Sequence, residues 1–246
     1  MLRMRRFVYR VLNYLRPTPV TRTLTIDQIL ADHGAMDVVE RFTDLYYRSG
    51  AAGNLIWRGT EILKNPCDIW SAVELFQRLK PRVIVETGTH KGGSALLYSD
   101  MAKVLKFECT IVTIDPNPKW SVDPSAEGIV SIRGYSTEPG VVAQVETIIR
   151  AHTRNGGSVM VFLDSDHSEA NVAAEMRVYA PFVTVGSYLV VEDGIVNGHP
   201  SFPEHGPGPW EAIEGFLGSN SSFVSDRACE RFLLTFNPRG WLRRTS

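Results

Sequence analysis

Cysteine is scarce in this 246-residue chain. Its three residues, Cys67, Cys109 and Cys229, lie far apart and form no CxxC or CxC pair, so neither a disulfide framework nor a thiolate zinc site organises the protein. A reducing, cytoplasmic setting is the expectation. Long apolar runs are missing too, with no stretch near the roughly 18 uninterrupted apolar residues of a membrane span. The apolar stretch near the N-terminus is cut by Arg10 and Asn13 and lacks a small-residue cleavage site, so no secretory signal is expected. Neither sign of charge dominates: Lys plus Arg (26) nearly balance Asp plus Glu (27), for a net charge of −1. That balance removes the positive field of a dedicated nucleic-acid binder, and nucleic acid is not an expected partner.

With 43% hydrophobic and 22% charged residues, the chain can bury a core of ordinary size in one domain with an added arm. Charge is uneven along it: residues 1–26 carry six Arg and no acid, which leaves a body near −7. Phe7, Val8, Val11, Leu12 and Leu15 fall at helical spacing with Arg3, Arg6 and Arg10 largely on another face. This predicts an amphipathic helix over Leu2–Leu15, ended by Pro17 and Pro19, that either lies on an anionic membrane surface, packs on a partner subunit, or docks on its own domain. Thr25 is placed to cap a second helix holding Ile29 and Leu30, and Met36–Tyr47 reads as a third. Residues 51–66 read as a lead-in loop, and Asp68 as the cap of a helix running to Leu79.

The period then changes. Arg82–Glu86, Cys109–Asp115, Gly128–Ile132, Val159–Asp164 and Ser187–Asp193 are short β-branched runs, separated mostly by helix-length stretches at Ser94–Lys106, Val141–His152 and Glu169–Tyr179. That alternation builds a parallel sheet covered on both faces. Ser222–Val224 and Arg231–Phe236 are close enough to pair antiparallel. The expected fold is α/β: a Rossmann-like, doubly wound, mostly parallel seven-stranded sheet, with a helical extension over 1–66 and the main domain over 67–246.

Ligands of open α/β sheets collect outside the carboxyl ends of the strands. Here those ends are Glu86, Asp115, the Gly134 region, Asp164 and Glu192-Asp193, so acids occupy four of five positions. The first strand runs into Glu86-Thr87-Gly88-Thr89-His90-Lys91-Gly92-Gly93-Ser94, a Gly-rich turn at a strand-to-helix junction where the backbone and helix amides can approach a ligand. It lacks the Lys-Ser/Thr ending of a phosphate loop and the glycine spacing of a dinucleotide fingerprint. Asp115, ending the second strand, can accept from two ribose hydroxyls. Together these point to a nucleoside ligand without a pyrophosphate, as in S-adenosylmethionine (SAM) enzymes, with Glu86, Gly88, Thr89, Gly92, Ser94, Asp115 and Asp164 as candidate cofactor-binding residues. Gly134 and Ser136 can approach its adenine or form an ordinary turn.

Several runs resemble the cephalosporin hydroxylase-like family, whose relatives include rhamnosyl and other bacterial sugar O-methyltransferases. They are VIVETGTHKGGSALLY, TIDPNP, FLDSDHSEANVAAEMRVYAPFVTVGSYLVVEDG and RFLLTFNPRGWLRR, preceded by Trp57-x-Gly59 and Lys64-Asn65-Pro66-x-Asp68. The resemblance spans Asn54 to the C-terminus and leaves out the basic arm. It implies a class I SAM-dependent methyltransferase fold, a bound Mg²⁺ in many members, and assembly into homo-oligomers. VFLDSDH is also similar to the corresponding stretch of catechol O-methyltransferase. Carried over residue by residue, this implies Asp164 as metal ligand and His167 as base, with Glu192 and Asp193 as the other protein ligands. Three carboxylates are a hard oxygen set suited to Mg²⁺. Asp166 competes with Asp164 if the turn slips by two residues.

The implied activity is SAM- and Mg²⁺-dependent methylation of a hydroxyl on a sugar, glycolipid or glycosylated natural product. A metal lowers the pKa of a weakly acidic hydroxyl, and histidine, with an ordinary pKa near neutrality, can take its proton. Three alternatives stand beside it. One is methylation of a catechol-like small molecule. Another is a non-haem iron hydroxylase using His167-Ser168-Glu169 with His199 or His205. The last is an accessory subunit that keeps the fold without the chemistry. Residues 198–209, rich in Gly and Pro, form either a lid over substrate or a plain connection to a helix at Trp210–Leu217.

Overall fold

A computed structural model describes residues 24–246; the helix expected over 2–15 and most of the basic arm lie outside the described residues. Two helices open the described chain, α1 (Ile26–Leu30) and α2 (His33–Arg48). Thr25 caps α1 as expected, in a reciprocal pairing with Gln28, and Asp32 caps α2 by accepting from the amides of Gly34 and Ala35.

Part of the expected loop at 51–66 is a β-hairpin, β1 (Leu55–Trp57) paired antiparallel with β2 (Thr60–Ile62). Its two-residue turn has Arg58 at φ 48° and Gly59 at φ 81°, the double positive φ that matches strand twist in tight hairpins. The usual Asn-Gly signal is absent. Arg58 is held there by ion pairs to Asp100 at 3.2 Å and Glu127 at 2.8 Å. The next helix, α3 (Pro66–Leu79), is capped by Asn65, which accepts from the Cys67 amide at 2.8 Å, with Pro66 in the first turn. Asp68 is therefore not the cap. It is buried and accepts from Thr235 Oγ1 at 2.6 Å and the Phe236 amide at 2.7 Å.

The remaining elements are β3 (Val83–Thr87), α4 (Gly93–Val104), β4 (Thr110–Asp115), β5 (Ile129–Arg133), α5 (Pro139–Thr153), β6 (Val159–Leu163), α6 (Glu169–Tyr179), β7 (Tyr188–Val191), α7 (Pro209–Ser219), β8 (Phe223–Ser225) and β9 (Trp241–Arg244). They build a seven-stranded sheet in the order β5-β4-β3-β6-β7-β9-β8. The first five of these strands run parallel, and β9 is antiparallel to both β7 and β8. The doubly wound expectation holds, but the expected terminal hairpin is corrected. Residues 231–236 form no strand: Leu233 takes φ 65°, and Asp68 grips the chain at Thr235 and Phe236. The last strand is instead Trp241–Arg244, led by Gly240, where a Cβ would come within 2.1 Å of the Val191 carbonyl oxygen.

Strand alternation divides the core. Val83, Val85, Val112, Val161 and Leu189 face α5, α6 and α7, whereas Ile84, Ile111, Met160, Phe162, Tyr188 and Val190 face α3 and α4. Carried one step further, the second face receives Glu86, Asp164 and Glu192. The ladder does continue that far, since the Asp164 amide donates to the Thr87 carbonyl and the Glu192 amide to the Leu163 carbonyl. The chain steps outward from β3 to β5 and returns beside β3 as β6, and this reversal sets the ligand crevice at the carboxyl ends of β3 and β6. No helix among the described residues is long and apolar enough to cross a membrane.

Candidate active site

The crevice is a cleft of about 560 Å³ over the carboxyl ends of β3, β4 and β6. One wall is the Gly-rich turn. Gly88 has φ 87°, and a Cβ there would lie 1.8 Å from the Asp164 carbonyl oxygen, so only glycine lets β3 and β6 end side by side. Asp115 organises the turn: its Oδ2 accepts from the amides of Thr89 at 3.1 Å and His90 at 3.0 Å, and its Oδ1 from the Asn117 amide at 2.7 Å. The β1–β2 hairpin closes the near side. Glu61 of β2 pairs with Lys91, and the Glu61 carbonyl packs so close to Gly93 that a Cβ there would sit 2.1 Å away.

Behind the turn, Glu86 is fully buried; its Oε2 accepts from Thr113 Oγ1 at 3.0 Å while its Oε1 has no hydrogen-bond partner. Burial pushes its pKa up to about 7, against the opposing pull of Lys64. Of the other expected cofactor residues, Gly88, Thr89, Ser94, Asp115, Ser136 and Asp164 line the cleft. Gly92, at φ 83°, instead packs against the Trp120 ring. Ser136 is buried, its carbonyl accepting from Tyr179 Oη at 2.6 Å.

At the far end stand the acids of β6 and β7. His167 Nε2 lies 3.1 Å from Asp193 Oδ2 and 3.8 Å from Asp164 Oδ1. Asp164, His167 and Asp193 each offer a ligand atom within 4.8 Å of the others, the one such group among the described residues. Asp193 has φ 54° and donates its amide to Asn237 Oδ1 at 3.2 Å. Burial raises the Asp193 pKa, with His167 opposing. Glu192 points inward and is buried, its Oε1 accepting from Lys64 Nζ at 2.6 Å. Asp166 is engaged elsewhere, accepting from the Ser168 amide at 2.8 Å.

Lys64, just before α3 and outside the strand ends, joins these acids through Glu192 and Asp164. It is 5% exposed and also donates to Asp164 Oδ2 at 2.7 Å, with Glu86 Oε1 at 3.9 Å. Burial works against its charge, but Asp164 and Glu192 outweigh burial and hold its pKa well above the ordinary lysine value. The only sequence signal for it is its place in Lys64-Asn65-Pro66-x-Asp68. The iron-hydroxylase grouping does not assemble. His199 stacks on Trp210 with ring centroids 4.5 Å apart and contacts Glu211 at 3.0 Å. His205 faces its neighbouring Gly206 carbonyl, and neither histidine nor Glu169 joins the His167 group.

A family model described as Rhamnosyl O-methyltransferase/CmcI matches residues 50–245. The chain belongs to this family. Among its relatives, the rhamnosyl O-methyltransferase of Mycobacterium tuberculosis is 35% identical over 217 residues, covering 84% of this chain and 85% of that protein. The rhamnosyl O-methyltransferase of Mycobacterium leprae is 34% identical over 211 residues, covering 84% and 90%. A solved structure described as "cmcI-D160 Mg-SAM" shares the fold, with a TM-score of 0.58 and 21% identity over 79% of this chain and 78% of that one. As a member of the rhamnosyl O-methyltransferase/CmcI family the chain is an O-methyltransferase, and its seven-stranded sheet is the family's fold.

Proposed function

We propose that this enzyme transfers the methyl group of SAM to a hydroxyl of a sugar, as part of a glycolipid, polysaccharide or glycosylated natural product, with Mg²⁺ as the metal. One observation carries the reading: a single cleft joins the Gly-rich turn and Asp115 to the Asp164, His167 and Asp193 group. The residues fit both cofactors. Glu86 Oε1 is a buried acceptor that makes no hydrogen bond, with Lys64 Nζ 3.9 Å away, and Gly88, Thr89, Ser94 and Asp115 line one wall of the cleft. These features suit a nucleoside ligand approaching the backbone closely. Asp164 and Asp193 supply converging carboxylate oxygens, the donors a hard cation prefers, and Glu192 adds a third carboxylate beside them through Lys64.

When bound, SAM supplies an electrophilic sulfonium methyl and Mg²⁺ a Lewis acid that lowers the pKa of an adjacent hydroxyl. The chain does the rest. Asp115 accepts from the amides of Thr89 and His90 in the turn and of Asn117 beyond it, which leaves its carboxylate a lone pair for a ribose hydroxyl. The imidazole of His167 takes the hydroxyl proton as general base. Asp193 Oδ2, 3.1 Å from Nε2, orients the ring and shares the proton once it is taken. Leu63, Tyr135 and Asn171 line the same cleft and add walls against which an acceptor can be held.

The sugar preference follows the rhamnosyl O-methyltransferases of the mycobacterial relatives. The reading assigns catalysis to residues 67–246, with the extension over 1–66 contributing Lys64 to the cleft, and places the enzyme in the cytoplasm as a homo-oligomer. The test is transfer of a labelled methyl group from SAM to rhamnose-bearing glycolipids and to catechol, with and without chelator. Chelator-sensitive labelling of the glycolipid is expected; labelling of catechol alone would overturn the sugar assignment.

A further inference from the structure

Lys64 occupies a place that neither the strand-end acids nor the proposed proton transfer requires. Four carboxylates, Glu86, Asp164, Glu192 and Asp193, crowd the ends of β3, β6 and β7, and the ammonium group of Lys64 reaches three of them at 3.9, 2.7 and 2.6 Å while only 5% exposed. A buried cation so placed is held by the acids, and the acids are held apart by it. Breaking such a set by removing one member leaves uncompensated charge in a low-dielectric site. Lysine is a compact point charge, which can sit between two carboxylates and leave each a second oxygen.

We propose that Lys64 is a positioning residue that acts as the fixed counter-charge of the metal site. Its ammonium group orients Asp164 and Glu192 and sets the Mg²⁺ affinity below that of the bare carboxylates. The proposal rests on the Mg²⁺ reading given above. Lys64 competes with the metal for lone pairs of Asp164 and Glu192, and its own charge opposes the arrival of a dication. Four acids facing one lysine and one Mg²⁺ come close to neutrality together. Without the lysine the metal-free cluster is strongly negative, and a dication becomes its principal means of relief.

The experiment is calorimetric titration of Mg²⁺ into chelator-treated native protein and Lys64→Met, with thermal unfolding of both in chelator and in millimolar Mg²⁺. Lys64→Met is expected to bind Mg²⁺ at least about tenfold more tightly, equivalent to about 1.4 kcal/mol. It is also expected to unfold at lower temperature in chelator and to recover most of that loss in Mg²⁺. A purely structural lysine would leave the affinity unchanged or weaken it, and either result overturns the proposal. If Lys64→Met does not fold in chelator, Mg²⁺ must restore folding, and failure to do so overturns the proposal equally. Folded native protein that binds no Mg²⁺ overturns the metal reading itself, whereas native binding with an unchanged variant removes only the role of Lys64.

Discussion

Gly88→Ala tests whether the junction of β3 and β6 is built around a missing side chain. Gly88 has φ 87°, and the added Cβ would lie 1.8 Å from the Asp164 carbonyl oxygen, 2.6 Å from its carbon and 3.1 Å from Ser165 Cα. All three are backbone atoms, so no rotamer change relieves the contact. Positive φ costs an alanine roughly 1–2 kcal/mol, and forcing a methyl into a packed site adds about 1–3 kcal/mol. Together they give a loss of about 2–5 kcal/mol, or roughly 4–20 °C in unfolding temperature for a chain of this size. Gly128→Ala is the matched control, since Gly128 has φ 72° with nothing within 4 Å of a Cβ. It pays the backbone cost alone, about 1–2 kcal/mol. Because the clash displaces Asp164, Gly88→Ala is also expected to weaken SAM binding at least about tenfold, with Gly128→Ala close to native. Urea denaturation and SAM titration of both variants give the answer. Equal stability losses with unchanged SAM affinity in Gly88→Ala would refute the steric argument.

His167→Ala is expected to slow methyl transfer by about 10²–10⁴-fold with SAM binding retained, as loss of a general base requires; equal losses in both assays would contradict the division of labour. Asp115→Ala frees the amides of Thr89, His90 and Asn117 and should weaken SAM binding, and native affinity in that variant would remove Asp115 from the cofactor site. Chelator treatment should abolish transfer while SAM titration still shows 1:1 binding. Stability should also depend on pH in a definite direction. Burial raises the carboxyl pKa values of Asp68, Glu86 and Glu230 to about 7, above the roughly 4 of an unfolded carboxyl. Between those values these groups bind more protons in the folded state, so the stability they contribute is greatest near pH 4 and falls as pH rises to about 7. Asp68→Asn should remove one of these contributions and shallow that slope in urea denaturation at a series of pH values, and an unchanged slope would rule out Asp68 as a contributor.

Much of the architecture was legible because the signals are local. Val159–Leu163 and Tyr188–Val191 are unbroken apolar runs, buried along their full length, and the helix between them, Glu169–Tyr179, falls at the expected residues. Where the reading failed, the deciding contact was distant or the local signal pointed elsewhere. Asp68 looked like a cap but serves residues 167 and 168 positions further along the chain. Arg231–Phe236 looked like a strand, while the real one is Trp241–Arg244, which carries two arginines in four residues. The hairpin turn at Arg58-Gly59 carries no Asn or Asp to announce it. In the site, the acids at the strand ends were visible because each ends an apolar run. Lys64 was not, since its carboxylate partners lie 100 and 128 positions away. The left-handed φ at Asp193 is likewise something that sequence alone does not announce.

The central claim is that one cleft binds SAM beside a metal-dependent methyl-transfer centre. The most direct measurement is calorimetric titration of purified, chelator-treated protein with SAM, and with S-adenosylhomocysteine as a matched ligand. The account predicts saturable 1:1 binding in the micromolar range, lost in Asp115→Ala and retained in His167→Ala. Folded native protein that binds neither ligand would contradict it.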